Sequence, residues 1–158
     1  MSTLNTFALP AVSTSAGQID KTFATTGIAQ VYFAGSVSSL TENIALDAQG
    51  RILVAAKVGI AAGSRFGLAR MLADGSADLA FGEQGSVIDT FVPGFEATAG
   101  KVQTLPDGRI LLAGLHYENA HRTLPALAMF DAQGKPDLSF GDNGCQVVRL
   151  PGDLSMGS

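Results

Sequence analysis

The pattern Asp-x-x-Phe recurs three times in this chain at nearly equal intervals. It reads Asp20 and Phe23, Asp78 and Phe81, then Asp137 and Phe140, and each Phe is followed four residues later by Gly27, Gly85 or Gly144. The steps between the rings are 58 and 59 residues. A fixed period of that size means that one supersecondary unit is copied, so the fold must be read per repeat.

Two further landmarks keep the same register. A polar turn at Asp47, Gly50 and Arg51 precedes the apolar run 52–56, and Asp107, Gly108 and Arg109 precede the run 110–113. Residues 67–75 are matched by residues 126–134, one residue out of step with the turns. The extra residue therefore lies between Gly114 and Ala126, and it is expected in a connecting loop, where insertions disturb no ladder. Apolar runs bounded by turn residues predict strands near 28–33, 43–48, 51–57 and 66–72, then near 86–91, 100–105, 109–115 and 125–131. Asp107-Gly108 is a hairpin signal, because glycine tolerates the positive φ of a tight turn. Gly or Pro interrupts the chain at short intervals, the longest stretch without either being residues 36–49. The chain is expected to be all-β, with four antiparallel strands per repeat.

Four short strands in such a unit, repeated in tandem, are the pattern of a β-propeller blade. The string from Ala69 to Gly85, with Asp74-Gly75, Asp78, Phe81-Gly82 and Gly85 as landmarks, resembles the delta-60 repeat, as does Pro106-Asp107-Gly108-Arg109-Ile110-Leu111-Leu112-Ala113-Gly114. The resemblance covers about residues 17–150 and implies a bacterial repeat protein built of propeller blades. The first copy departs from it, with Ala24 and Thr25 after Phe23 and with Gln49 before Gly50.

The expected organisation is an N-terminal tail at 1–16, repeats at 17–75 and 76–134, and a partial third repeat at 135–158. Two full units cannot close a propeller, for which roughly 4–8 blades are needed. Copies of the chain are therefore expected to complete a ring, with the strand near 145–150 finishing a blade of an adjacent subunit. The alternative is a fragment of a longer array. Composition fits a packed globular protein, 46% apolar and 15% charged. The apolar runs are too short to span a bilayer. The N-terminus lacks the basic start and long apolar stretch of a signal peptide, which leaves the cytoplasm as the default expectation. One cysteine, Cys145, excludes an internal disulfide, and a net charge of −4 speaks against nucleic-acid binding.

The repeated residues read as structural. Asp20, Asp78 and Asp137 suit a turn whose backbone N–H groups they accept, joined by Arg51 or Arg109. A calcium loop would need more oxygens than Arg70, Leu72 and Asp74 supply before Gly75, so no metal is expected. The recurring Phe suits a plug between blades. Function should lie where the copies differ, and the clearest difference is 116–122, opposite the plain 60–65. Its His116, Tyr117, Glu118, His121 and Arg122 are the candidate ligand-binding residues. No nucleophile with a paired base is legible, so no catalytic residue and no cofactor is expected. The expected function is a non-enzymatic module that binds a protein or glycan. An enzyme with a site in the central channel of the ring is the alternative.

Overall fold

The computed structural model describes residues 15–152. Its eight strands form two antiparallel sheets, joined in simple sequence order. Sheet 1 holds β1 (Ser38–Leu46), β2 (Ile52–Ile60), β3 (Gly63–Met71) and β4 (Ser86–Asp89). Sheet 2 holds β5 (Glu96–Thr104), β6 (Ile110–Asn119), β7 (Arg122–Phe130) and β8 (Cys145–Val147). These are two consecutive propeller blades, and no helix occurs among the described residues.

The continuous apolar run of β2 is explained by its position, since both of its faces are buried. Leu53 and Ala55 join Phe66, Leu68 and Phe81 in a core shared with sheet 2. Val54, Ala56 and Val58 look the other way, into a smaller cluster closed by Phe33. A half-exposed strand would instead alternate apolar and polar residues. Across the shared core, sheet 2 contributes Ala97, Val102, Ile110, Leu112, Ala126 and Phe130.

The sheets are offset from the sequence repeat. The strand that opens the second copy, β4, pairs with β3 of the first, Ala69 facing Ser86 and Phe66 facing Asp89. Likewise β8 pairs with β7 of the same chain, Ala128 facing Cys145 and Ala126 facing Val147. This corrects the expectation that residues near 145–150 finish a blade of another subunit. Within the chain, the edge of β7 supplies the partner of residues 145–147.

The segment 28–33 also differs from expectation. It alternates like a strand, with Ala29, Val31 and Phe33 packed on sheet 1 and Ile28 and Tyr32 exposed, yet it joins no ladder. It occupies the place of an outer strand whose own three-stranded partner is not among the described residues. Position, not sequence, decides whether such a segment hydrogen-bonds.

The Asp-x-x-Phe turns behave alike in all three copies. The N–H of each Phe donates to the carbonyl of its Asp, and the following Gly N–H donates to the carbonyl of the Phe. Each Asp carboxylate accepts a backbone N–H two residues on, from Thr22, Ala80 or Ser139. The rings of Phe23 and Phe81 then lie on glycines further along the chain. A Cβ on Gly75 would stand 3.0 Å from the Phe23 ring, and one on Gly134 would stand 2.9 Å from the Phe81 ring. Only glycine leaves room for the plug there, and its positive φ suits the turn. Beside each contact a backbone bond crosses between units, from Ala24 to the Asp74 carbonyl and from Gly82 to the Gln133 carbonyl, at 2.7 and 2.8 Å.

Candidate functional site at the β6–β7 hairpin

The two copies share one bulge and differ in another. Both innermost strands slip by one residue, between Thr41 and Asn43 and between Ala99 and Lys101. Only the second blade slips again, between Tyr117 and Asn119. The extra residue of the second copy is therefore Glu118. It sits as a β-bulge inside β6 and not in a connecting loop, because both hairpins keep a two-residue turn, Ile60 facing Gly63 and Asn119 facing Arg122. Bulges re-aim side chains and gather near functional sites.

Released from the ladder, Glu118 meets two arginines. The guanidinium of Arg149 donates to its Oε1, and Arg122 Nε lies 3.3 Å from its Oε2. The Arg149 bond, together with the two nearby positive charges, holds the Glu118 carboxyl below its ordinary range. His121 sits in the turn, its N–H donating to Asn119 Oδ1 at 2.9 Å.

His116 is placed differently. It is 3% exposed, with its ring 5.0 Å from the Phe95 ring in an edge-on arrangement. Its Nδ1 is buried without a hydrogen-bond partner among the described residues. Burial pushes its pKa down, with Glu118 opposing and Arg149 adding to the effect. Strand alternation sends the half-buried Tyr117 to the opposite face. Of the five expected residues, Glu118 and Arg122 are in contact, His121 is near them in sequence, and His116 and Tyr117 point to separate faces. No group of three metal-ligating side chains occurs among the described residues.

Arg149 was not legible from the hairpin motif, since it lies 31 residues from Glu118. It ties the hairpin to a groove of about 620 Å³ between the β4–β5 link and β8. Asp89, Phe91, Pro93, Asp142 and Cys145 are among its walls. Burial pushes the Cys145 thiol up to about 11, with Asp89 and Asp142 adding to the rise. A second hollow of about 520 Å³ lies between the β1–β2 and β5–β6 turns. Its charges satisfy one another: Arg51 pairs with Asp47 at 2.6 Å, and Arg109 pairs with Asp107 at 2.8 Å. Arg70 pairs with Asp78 at 2.8 Å there and covers the Phe81 ring at 4.5 Å.

Residues 49–81 match the family model described as a domain of unknown function (DUF5122) beta-propeller. The match spans the β1–β2 turn, two strands and the second Asp-x-x-Phe turn, which are the elements shared by the copies. No curated protein and no solved structure matches the chain.

Proposed function

We propose that the chain is a non-enzymatic propeller module of the delta-60 repeat type, which associates with further copies of itself and binds an extended segment of a partner protein in the groove beside β8. The observation that carries this reading is the Glu118 bulge. It is the one insertion that separates the two copies, and through Arg149 it borders the groove. The outer edge of β8 faces no further strand among the described residues, and such an edge accepts an extended chain by strand addition. A glycan is the weaker candidate, because the groove's rings, Phe66, Phe91 and Phe130, are all sunk below the surface and offer no stacking platform. Thiol catalysis is disfavoured as well, since a thiol titrating near 11 stays protonated at neutral pH.

Peptide and glycan arrays read by binding, followed by thermal stability with each hit, test the reading. A peptide hit should raise the melting temperature, and Arg149→Ala or deletion of Glu118 should remove the rise. Glycan hits alone, or stabilisation unchanged in both variants, would refute the groove assignment.

A further inference from the structure

The blades of this chain serve as controls for each other. Ile44 and Val102 occupy the same position in β1 and β5, yet Ile44 is 59% exposed and Val102 6%. Val102 is covered by sheet 1, whereas nothing among the described residues covers Ile44. On the opposite side, Leu53 and Leu68 are fully buried between the sheets, while their equivalents Leu111 and Leu127 are only half-buried. The free face of sheet 1 thus copies the sheet 2 side of the internal interface. The free face of sheet 2 copies its sheet 1 side. The two free faces are matched to each other by the repeat itself, so the partner that fits them is a second copy, head to tail.

One obstacle stands in that joint. Residues 17–33 and 134–150 are the same stretch of the repeat, and both claim the place between sheet 2 of one copy and sheet 1 of the next. Phe23 already sits on Gly75, where the incoming Phe140 would sit. Phe33 lies against Gly67 of the Ala56–Gly67 cross-strand pair, and Phe91 against Gly114 of the equivalent Gly114–Ala126 pair; the incoming Leu150 would take the place of Phe33. The two claimants are not equally held. Residues 145–148 are bonded to β7, including Val148 N–H to the Pro125 carbonyl at 2.8 Å, and Asp137 is tied to Arg109. Residues 29–32 make no backbone hydrogen bond among the described residues. Removing them breaks no ladder.

Building on the self-association reading above, we infer that residues 15–33 are a displaceable cap. They imitate the outer strand and turn of a preceding blade and occupy the head-to-tail face until residues 134–150 of a second copy replace them. In the joint, Phe140 covers Gly75 of the next copy, Gly141 N–H takes over the Asp74 carbonyl from Ala24, and Leu111 and Leu127 cover Val54 and Ile44.

Sedimentation velocity and amide hydrogen exchange on the full chain, across a concentration series, test the inference. The expected result is association with the amides of 145–147 protected throughout and those of 29–32 unprotected throughout. Phe33→Ser, which loosens the cap, should tighten association about tenfold or more by raising the competent fraction. Leu127→Asp should abolish association in either background. If Phe33→Ser fails to fold, Val31→Ser serves the same purpose. Association with new protection at 29–32 overturns the cap and leaves self-association standing. So does an affinity that the loosened variant does not change. A chain that stays single both unmodified and loosened overturns both readings, whereas association of the loosened chain alone supports the cap.

Discussion

At the scale of the residue, the three Asp-x-x-Phe turns show how one motif tolerates different side chains. Gly82 and Gly141 follow Phe with φ of 56° and 54°, and Ala24 holds the same position at 52°. A left-handed conformation costs a non-glycine residue roughly 1–2 kcal/mol. Ala24→Gly should therefore stabilise the chain by up to about 1 kcal/mol, allowing for the freedom glycine adds to the unfolded state. Gly82→Ala should do the reverse by at least as much, because its Cβ would also strike the Ser86 carbonyl. Urea unfolding of both variants checks the opposite signs. Arg70 supplies a second case. It is 4% exposed, pairs with Asp78 and donates across the interface to the Ala132 carbonyl. Its equivalent in the second blade is Met129. Arg70→Met should cost about 3 kcal/mol by leaving the buried Asp78 carboxylate with the Ala80 N–H and, as its cation, the more distant Arg51 at 3.9 Å. The sequence made legible the Asp's role and the part of the turn arginines, since Arg51 lies 3.9 Å from Asp78 and Arg109 3.2 Å from Asp137. The closer Arg70 pairing was not legible, because it depends on strand register.

At the scale of the element, the apolar runs and turn residues were enough to place β2, β3, β6 and β7 near their observed bounds. What could not be read was hydrogen bonding, because a strand is defined by its neighbour. Residues 28–33 and β4 follow the same motif, but only β4 finds an edge. The departure at Gln49 has its own compensation. Asp47 Oδ1 accepts the N–H groups of both Gln49 and Arg51 at 2.9 Å, and so caps a turn that lacks an Asp-Gly pair. In the candidate site, Glu118 and Arg122 were found because the copies differ there. Arg149 was missed because its approach is tertiary. His116 gives this element a pH signature. An unfolded histidine takes up a proton near about pH 6.5. The folded ring resists, because burial depresses its pKa. The unfolded state then binds more protons, so stability holds above about 6.5 and falls as pH drops through the folded value. His116→Leu should flatten that part of the curve, as measured by denaturation midpoints at pH 7.5 and 5.0 in otherwise identical buffer.

At the scale of the whole molecule, the period of 58 to 59 residues carried the fold class, because a copied unit restricts the architecture more than any single element does. The phase of the blades was not carried. The repeat can be cut anywhere along its period without altering its pattern, and the ladders alone fix where each sheet begins. The shared core predicts that the blades unfold together. Phe81 is fully buried and belongs to the core that joins them, so Phe81→Ala should cost about 3–5 kcal/mol. Probes placed in either sheet should report the same shifted midpoint. Two separate transitions would show that the blades are independent.

The offset between repeat and sheet bears on how such a chain can grow. Each unit of sequence begins with the last strand of one blade and continues into the first three of the next. Duplicating a 58-residue stretch from any starting point therefore adds one complete sheet, stitched on both sides by chain it shares with its neighbours. The unit of inheritance and the unit of folding do not need common borders. A protein built this way can change its number of blades in a single genetic event, without a new seam having to evolve.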